Sequence, residues 1–388
     1  MNLVLKVFFY LFLISCVFDP ADKLLGLKVP LFVFCWIIFL FSKQNLNPSF
    51  PKGLINFLLI FITVPIISIS YYLIFNGNEP YGGFSLFKSF LLLTLSLILF
   101  NKKLDLIPAL SKVLTLLSIV IIVMYAVVLA NPFLFASIYD FGWNTGIFHI
   151  GQRIYSSNLK LWSIYFVSSP MIIIAIAYYF DLAYKSRKTI NYIFLGINIF
   201  AMFIAGTRNN MLMSILLPLI LFMIYSKNRK LVFTFLIISL SISIYFLNDI
   251  LKDLTSKDEI SNQTKLSLLD DYKEIFSDTK VLVFGQGLGS YTEWKSNGRF
   301  YFTSELTYFE IFRYFGLFFG LTIIYFMFYP VIYGYNNRKY TSQKHIIIAY
   351  LLYLIMSFTN PLFFSSLGML IFSIILSNIF IEKKYLKI

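Results

Sequence analysis

Phe284–Gly316 reads FGQGLGSYTEWKSNGRFYFTSELTYFEIFRYFG. It closes the only long polar interval in the chain and runs straight into an apolar helix. It holds three alternating glycines, Gly285, Gly287 and Gly289, followed by Arg299, Glu305, Glu310 and Arg313. Charge near hydrocarbon is costly, so a membrane protein that keeps glutamate and arginine at such a boundary usually uses them.

The rest of the chain supplies the membrane. Of 388 residues, 59% are hydrophobic, 20% aromatic and only 13% charged, with a mean hydropathy of +0.79. A soluble domain carries roughly 25% charged residues. The composition therefore reads as an all-α, polytopic membrane helix bundle, with residues 1–388 forming one integral-membrane domain. The net charge of +14 does not point to nucleic acid, because the basic residues stand in short clusters between apolar runs. Cys16 and Cys35 fall inside apolar runs, which favours buried packing over a disulfide. Leu3–Phe18 has no small-residue cleavage site and reads as a retained first span.

A hydrocarbon-crossing helix needs about 20 largely apolar residues. That rule predicts about twelve spans, near Leu3–Phe18, Leu24–Phe41, Leu54–Phe75, Phe84–Phe100, Leu110–Ala130, Leu161–Phe180, Ile190–Ala205, Asn209–Tyr225, Leu231–Leu247, Ser304–Tyr333, His345–Phe358 and Leu362–Ile381. One set of connections is basic throughout, for example Lys102–Lys103, Lys185–Lys188 and Lys227–Lys230, as is the tail with Lys383 and Lys384. The alternate set is neutral or mixed. Basic loops stay cytoplasmic, so both termini are expected inside and the alternate set outside. The external loops are then 131–160 and 248–303, the latter between spans nine and ten. Within it, Thr264–Phe276 places Leu266, Leu269, Tyr272, Ile275 and Phe276 on one helical face. That is the pattern of an amphipathic helix on the outer membrane surface.

Four arginines fall outside or at an outer span end: Arg153, Arg208, Arg299 and Arg313. Arg208 follows Gly206-Thr207 at a tight turn between two apolar spans. Its functional reading is an anion site, a guanidinium beside the free N–H groups of a helix start. Its structural reading is an arginine snorkelling to lipid headgroups. Arg153 shares a loop with His149, Trp143 and Tyr155. The three glycines read as a tight backbone return rather than a nucleotide loop, since no strand–loop–helix unit surrounds them. Glu310 and Arg313 stand at i and i+3 and can pair with each other. Glu305 has no such local partner. It is either a general base at a partly dry interface or a carboxylate favoured by the helix dipole. No HExxH, CxxC or paired-carboxylate pattern points to a metal.

Three fragments together resemble the O-antigen polymerase and O-antigen ligase superfamily: AGTRNNML at Ala205–Leu212, FGQGLGSY at Phe284–Tyr291, and SELTYFEIFRYFGLFFG at Ser304–Gly320. The likeness is strongest over Ile190–Gly320. It implies a glycosyltransferase of the cell inner membrane that works without metal or cofactor on an undecaprenyl-diphosphate-linked glycan, at the external face. The implied pathway is polysaccharide or lipopolysaccharide biosynthesis, with membrane lipids and a chain-length regulator protein as partners. Carried over by position, Arg208 matches the family's membrane-edge arginine and Glu305 falls where the family has a histidine, anchored on Tyr308. Lys265 falls near where the family places an arginine, and a lysine grips a diphosphate less well than a bidentate fork does. Arg153, Arg299 or Arg313 would supply the remaining diphosphate contacts. Trp143, Trp294, Tyr291 and Tyr301 could stack on sugars, although aromatic belts are the default explanation for such residues. The resemblance favours a polymerase of lipid-linked repeat units. A ligase transferring glycan to lipid A core and a flippase for the lipid-linked unit remain the alternatives.

Overall fold

The computed structural model describes residues 2–42, 50–75, 81–154, 160–226, 260–295, 298–338 and 341–386. The chain is mostly helical. Six helices are long and apolar enough to cross a membrane: Lys52–Phe75, Tyr81–Lys102, Ile107–Ala130, Arg208–Tyr225, Thr307–Asn336 and Ser366–Lys384. Shorter apolar helices cover Leu3–Phe18, Lys28–Leu40, Thr189–Ile204 and Lys344–Met356. This is the make-up of a helical membrane protein. The outward faces agree with it: Ile67, Ile74, Val123, Leu129 and Phe318 are all exposed on the long apolar helices.

In chain order the helices are α1 (Asn2–Phe18), α2 (Lys28–Leu40), α3 (Lys52–Phe75), α4 (Tyr81–Leu91), α5 (Leu95–Lys102), α6 (Ile107–Ala130) and α7 (Pro132–Thr145), followed after a β-hairpin by α8 (Ile172–Ser186), α9 (Thr189–Ile204), α10 (Arg208–Tyr225), α11 (Ile260–Ile275) and α12 (Thr279–Phe284), and after a second hairpin by α13 (Thr307–Asn336), α14 (Lys344–Met356) and α15 (Ser366–Leu386). The last helix is central. Met369 to Leu376 and on to Phe380 are buried on every side, as expected for a helix apolar all round. It packs against α1, α3, α4, α5 and α13. A second group, α6, α8, α9, α10 and α14, packs beside it. Cys16 and Cys35 are free thiols in this core.

Two expectations need correction. The first is the sixth span, Leu161–Phe180. Residues Lys160–Phe166 form strand β2, paired antiparallel with β1, Phe148–Ile154. A short 3-10 turn at Ser169–Met171 then leads into α8. The physical reason is alternation: Phe148, Ile150, Ile164 and Phe166 are buried in the main core, and the residues between them point the other way. With a second hairpin, β3 (Thr292–Trp294) and β4 (Arg299–Tyr301), the fold is not purely helical. The second correction concerns α11. It buries Leu268 and Tyr272, with Ile275 and Phe276 beside them, against Trp294, Leu306 and Phe309, while Leu266 and Leu269 stay exposed. The buried stripe is thus rotated from the one expected, because the helix docks on the second hairpin. The ninth predicted span, Leu231–Leu247, lies outside the described residues.

The glycine segment is threaded between distant helices. Helix α13 is broken at Gly316, whose φ of 68° and ψ of −179° are non-helical. The break leaves the carbonyls of Arg313 and Tyr314 available, and the N–H groups of Gln286 and Gly287 donate to them at 2.6 and 3.2 Å. Ser68 of α3 also donates to the Tyr314 carbonyl at 2.8 Å and accepts from the Leu288 N–H at 2.8 Å. A broken helix is tolerated at membrane depth only where protein re-satisfies the freed groups, and here it does. Gly289 has φ +79°, and a Cβ there would lie 1.9 Å from the backbone nitrogen of Gly83. Gly289→Ala should therefore cost at least about 2 kcal/mol. The measurement is the melting temperature and monodispersity of detergent-purified protein. A variant that melts with the wild type would show that this segment does not lie against α4.

Candidate functional site

The second hairpin and the start of α13 are organised by a buried arginine. Arg313 has 0% relative exposure. Its Nε and Nη2 form a two-point pair with Glu310, at 2.9 and 2.7 Å. Nη1 donates to Gln286 Oε1, to the Ser290 carbonyl and hydroxyl, and to Thr292 Oγ1, at 2.8–3.1 Å. Nη2 also donates to the Phe302 carbonyl at 2.8 Å. The guanidinium lies over the rings of Tyr314 at 4.5 Å and Trp294 at 5.3 Å. The Tyr314 hydroxyl donates to the Phe302 carbonyl, and the Tyr272 hydroxyl donates to Glu310. Burial, and then Glu310 beside it, push the Tyr272 phenol well above its ordinary range.

Arg313 is therefore not a diphosphate contact. All its N–H groups are taken up by protein acceptors, and solvent does not reach it. It pairs with Glu310 and holds the glycine segment, the second hairpin and α13 together. Trp294 is likewise buried under it and cannot stack on a sugar. Tyr308 also points inward, its hydroxyl donating to the Leu354 carbonyl at 3.0 Å.

Glu305 and Arg208 are handled differently. Glu305 is exposed, in a short connection fixed at both ends. Ser304 Oγ, within hydrogen-bond reach of the Tyr272 hydroxyl at 2.5 Å, accepts from the Leu306 N–H at 3.2 Å. On the other side Thr307 Oγ1 donates to the Asn360 carbonyl at 2.7 Å. The residue before Asn360 is Thr359, and its hydroxyl accepts from Asn209 Nδ2 at 2.6 Å. Asn209 follows Arg208, which is half-buried at the first position of α10. Thr207 caps that helix by accepting from the Asn210 N–H. The starts of α10 and α13 thus meet at the exit of α14.

The first hairpin covers the same end. Gly206 lies so close to β2 that a Cβ would come within 2.1 Å of Ser163 Cβ. Tyr165 stands two residues along, so it shares that strand face with Ser163. Burial, with the Glu305 carboxylate close by, pushes the Tyr165 phenol up to about 12. Tyr165 pairs across the ladder with His149, and Arg153 with Leu161. His149 is exposed and lies edge-on to Trp143 at 5.8 Å. The strand face bearing Ser163 and Tyr165 therefore lies against the turn before Arg208, and Tyr165 feels the Glu305 carboxylate electrostatically. Sequence reading missed this hairpin and Tyr165 with it, because Leu161-Trp162 and Ile164–Phe166 read as continuous apolar runs.

Two further residues complete the placement. Lys265 is half-buried on α11, on the same side as Leu268 and Tyr272 at i+3 and i+7, the side that packs towards Leu306. Arg299 opens β4, opposite Trp294. A separate cleft of about 290 Å³ is lined by Asp271, Glu274, Asp278 and Glu293 with Lys295. Its charge would repel a phosphate group. Among the described residues no three His, Cys, Asp or Glu side chains gather as metal ligands do.

No protein-family model, curated protein or solved structure matches the chain.

Removing one member of the buried pair should be severe. Arg313→Met leaves Glu310 buried without its partner, a loss of about 3–5 kcal/mol. Glu310→Gln/Arg313→Met removes both charges and should be less destabilised than the sum of its two single variants. Melting temperatures of the four proteins decide it, and simple additivity would count against the pair as the organising contact.

Proposed function

We propose that the chain is a polymerase of lipid-diphosphate-linked oligosaccharide repeat units, transferring glycan at the outer face of the bacterial inner membrane. The observation that supports this reading is that the starts of α10 and α13, which bear Arg208 and Glu305, converge at one end of the bundle through Asn209–Thr359 and Thr307–Asn360. Arg208 and Glu305 are the residues that a diphosphate leaving group and an acceptor hydroxyl call for. Breaking an anomeric C–O bond to diphosphate leaves negative charge, which a guanidinium at a helix start stabilises. The sugar hydroxyl is weakly acidic, and a carboxylate takes its proton as the new bond forms.

Topology follows the same reading. Helix α8 takes the place of the sixth span, so the alternation of basic and neutral connections is kept. Twelve spans with both termini cytoplasmic put Arg208 and Glu305 outside. At the opposite ends of α8, α10 and α14, Lys185 and Tyr225 bond to Asp181, and His345 lies 3.6 Å from it, beside the basic connections. Arg208, rather than Arg313, is then the principal diphosphate ligand, with Lys265 and Arg153 as further candidates.

The decisive experiment incubates purified protein with a lipid-diphosphate-linked repeat unit. A ladder of products supports the polymerase, attachment to core lipid supports a ligase, and neither product overturns glycan transfer. In cells, Arg208→Ala and Glu305→Gln should reach the membrane at normal levels yet lower the yield of long polysaccharide at least about 100-fold. Normal chains from both variants would remove these residues from the site.

A further inference from the structure

Tyr165 stands on the shared strand face next to Ser163 and has no role in the transfer step proposed above. It lies between two features already described. Two positions back along β2, Ser163 touches the Gly206 turn that presents Arg208. Near its own ring is the carboxylate of Glu305. Positions two apart on a strand are separated by about 6.6 Å, a span suited to a diphosphate lying along the strand. The opposite face of the hairpin is committed to the core through Ile150, Ile164 and Phe166, so this face cannot turn inward. Neighbouring Tyr353, whose hydroxyl donates to the Leu362 carbonyl at 3.3 Å, is fixed in α14. Tyr165 is half-buried, and its hydroxyl makes no hydrogen bond among the described residues.

We infer that Tyr165 is a substrate contact, whose phenolic O–H donates to a diphosphate oxygen at the sugar end of an isoprenoid-diphosphate ligand, between Arg208 and Glu305. The inference rests on the glycan-transfer reading and deepens it. A neutral donor is what this position requires. A second cation here would pair with Glu305 and weaken it as a base, while another anion would repel the phosphate. The phenol holds its proton at physiological pH, because burial and the nearby carboxylate both disfavour phenolate. In the transfer step the acceptor oxygen bonds to the anomeric carbon and its proton passes to Glu305. The C–O bond to phosphate breaks, and the electron pair leaves on the lipid diphosphate. Tyr165 gives a hydrogen bond to that departing charge and transfers no proton.

The test uses the full chain in lipid nanodiscs and undecaprenyl diphosphate, without sugar, as the probe. The wild type binds it. Tyr165→Phe keeps the ring, removes only the donor, and should bind about tenfold more weakly at an unchanged melting temperature. Tyr184→Phe, at the opposite end of the bundle, should bind as the wild type does. Equal affinity of wild type and Tyr165→Phe overturns the assignment and leaves the glycan-transfer reading standing. Weaker binding accompanied by a lower melting temperature gives the hydroxyl a packing role and also overturns the assignment. A wild type that binds no diphosphate lipid overturns both.

Discussion

A guanidinium without water around it must find acceptors for every N–H, and the surroundings of Arg313 are built to that demand. Glu310 takes two of its bonds and cancels its charge. The others go to groups from the glycine segment, from β3 and from the connection before α13. None of these segments has a sizeable apolar core of its own; their one satellite cluster is Leu268, Tyr272, Trp294 and Leu306. Burying an ion pair gains little net stability over an apolar equivalent. What the arrangement gives is specificity of position. The carbonyls of Ser290 and Phe302 have to sit where the fork reaches them, and Glu305 follows Phe302 by three residues in the same connection.

The site end of the bundle follows from that fixed frame. Thr307 and Ser304 tether Glu305 from either side, and Asn209 tethers the Arg208 turn to the same α14 exit. The first hairpin closes over both. Its apolar face is absorbed into the main core and its other face is left for Ser163, Tyr165 and His149. Sheet alternation thus presents a row of polar side chains to one side while anchoring the other.

Much of the helical frame was legible in the sequence. The limits of α3, α6, α9 and α10 fall within a few residues of where hydropathy puts them, because long apolar runs leave no other structure in hydrocarbon. The glycine return and the Glu310–Arg313 pair were legible too, each from a local rule. The first hairpin was not. Leu161–Phe180 is apolar enough to satisfy a span criterion, and the two-residue alternation of its first part is one of burial, set by pairing with β1, rather than of residue type. The rotation of α11 and the burial of Arg313 depend on partners far along the chain. An arginine that grips a ligand and one that is walled in look alike in sequence; only the seven hydrogen bonds around Arg313 separate them.

The seat of the glycine segment also bears on how the chain is made. Ser68 bonds to partners 220 and 246 residues further along. Helix α3 is therefore synthesised and inserted long before the groups that complete its polar side exist. Until residue 314 emerges, the Ser68 hydroxyl must bond within its own helix or to water, and the notch at Gly82 and Gly83 stays open. The late segment then closes it backbone to backbone, where no side chain could fit. Joining of the early and late helices therefore waits on the glycine segment and the start of α13, and a chain cut short before the glycine segment would lack the piece that joins them.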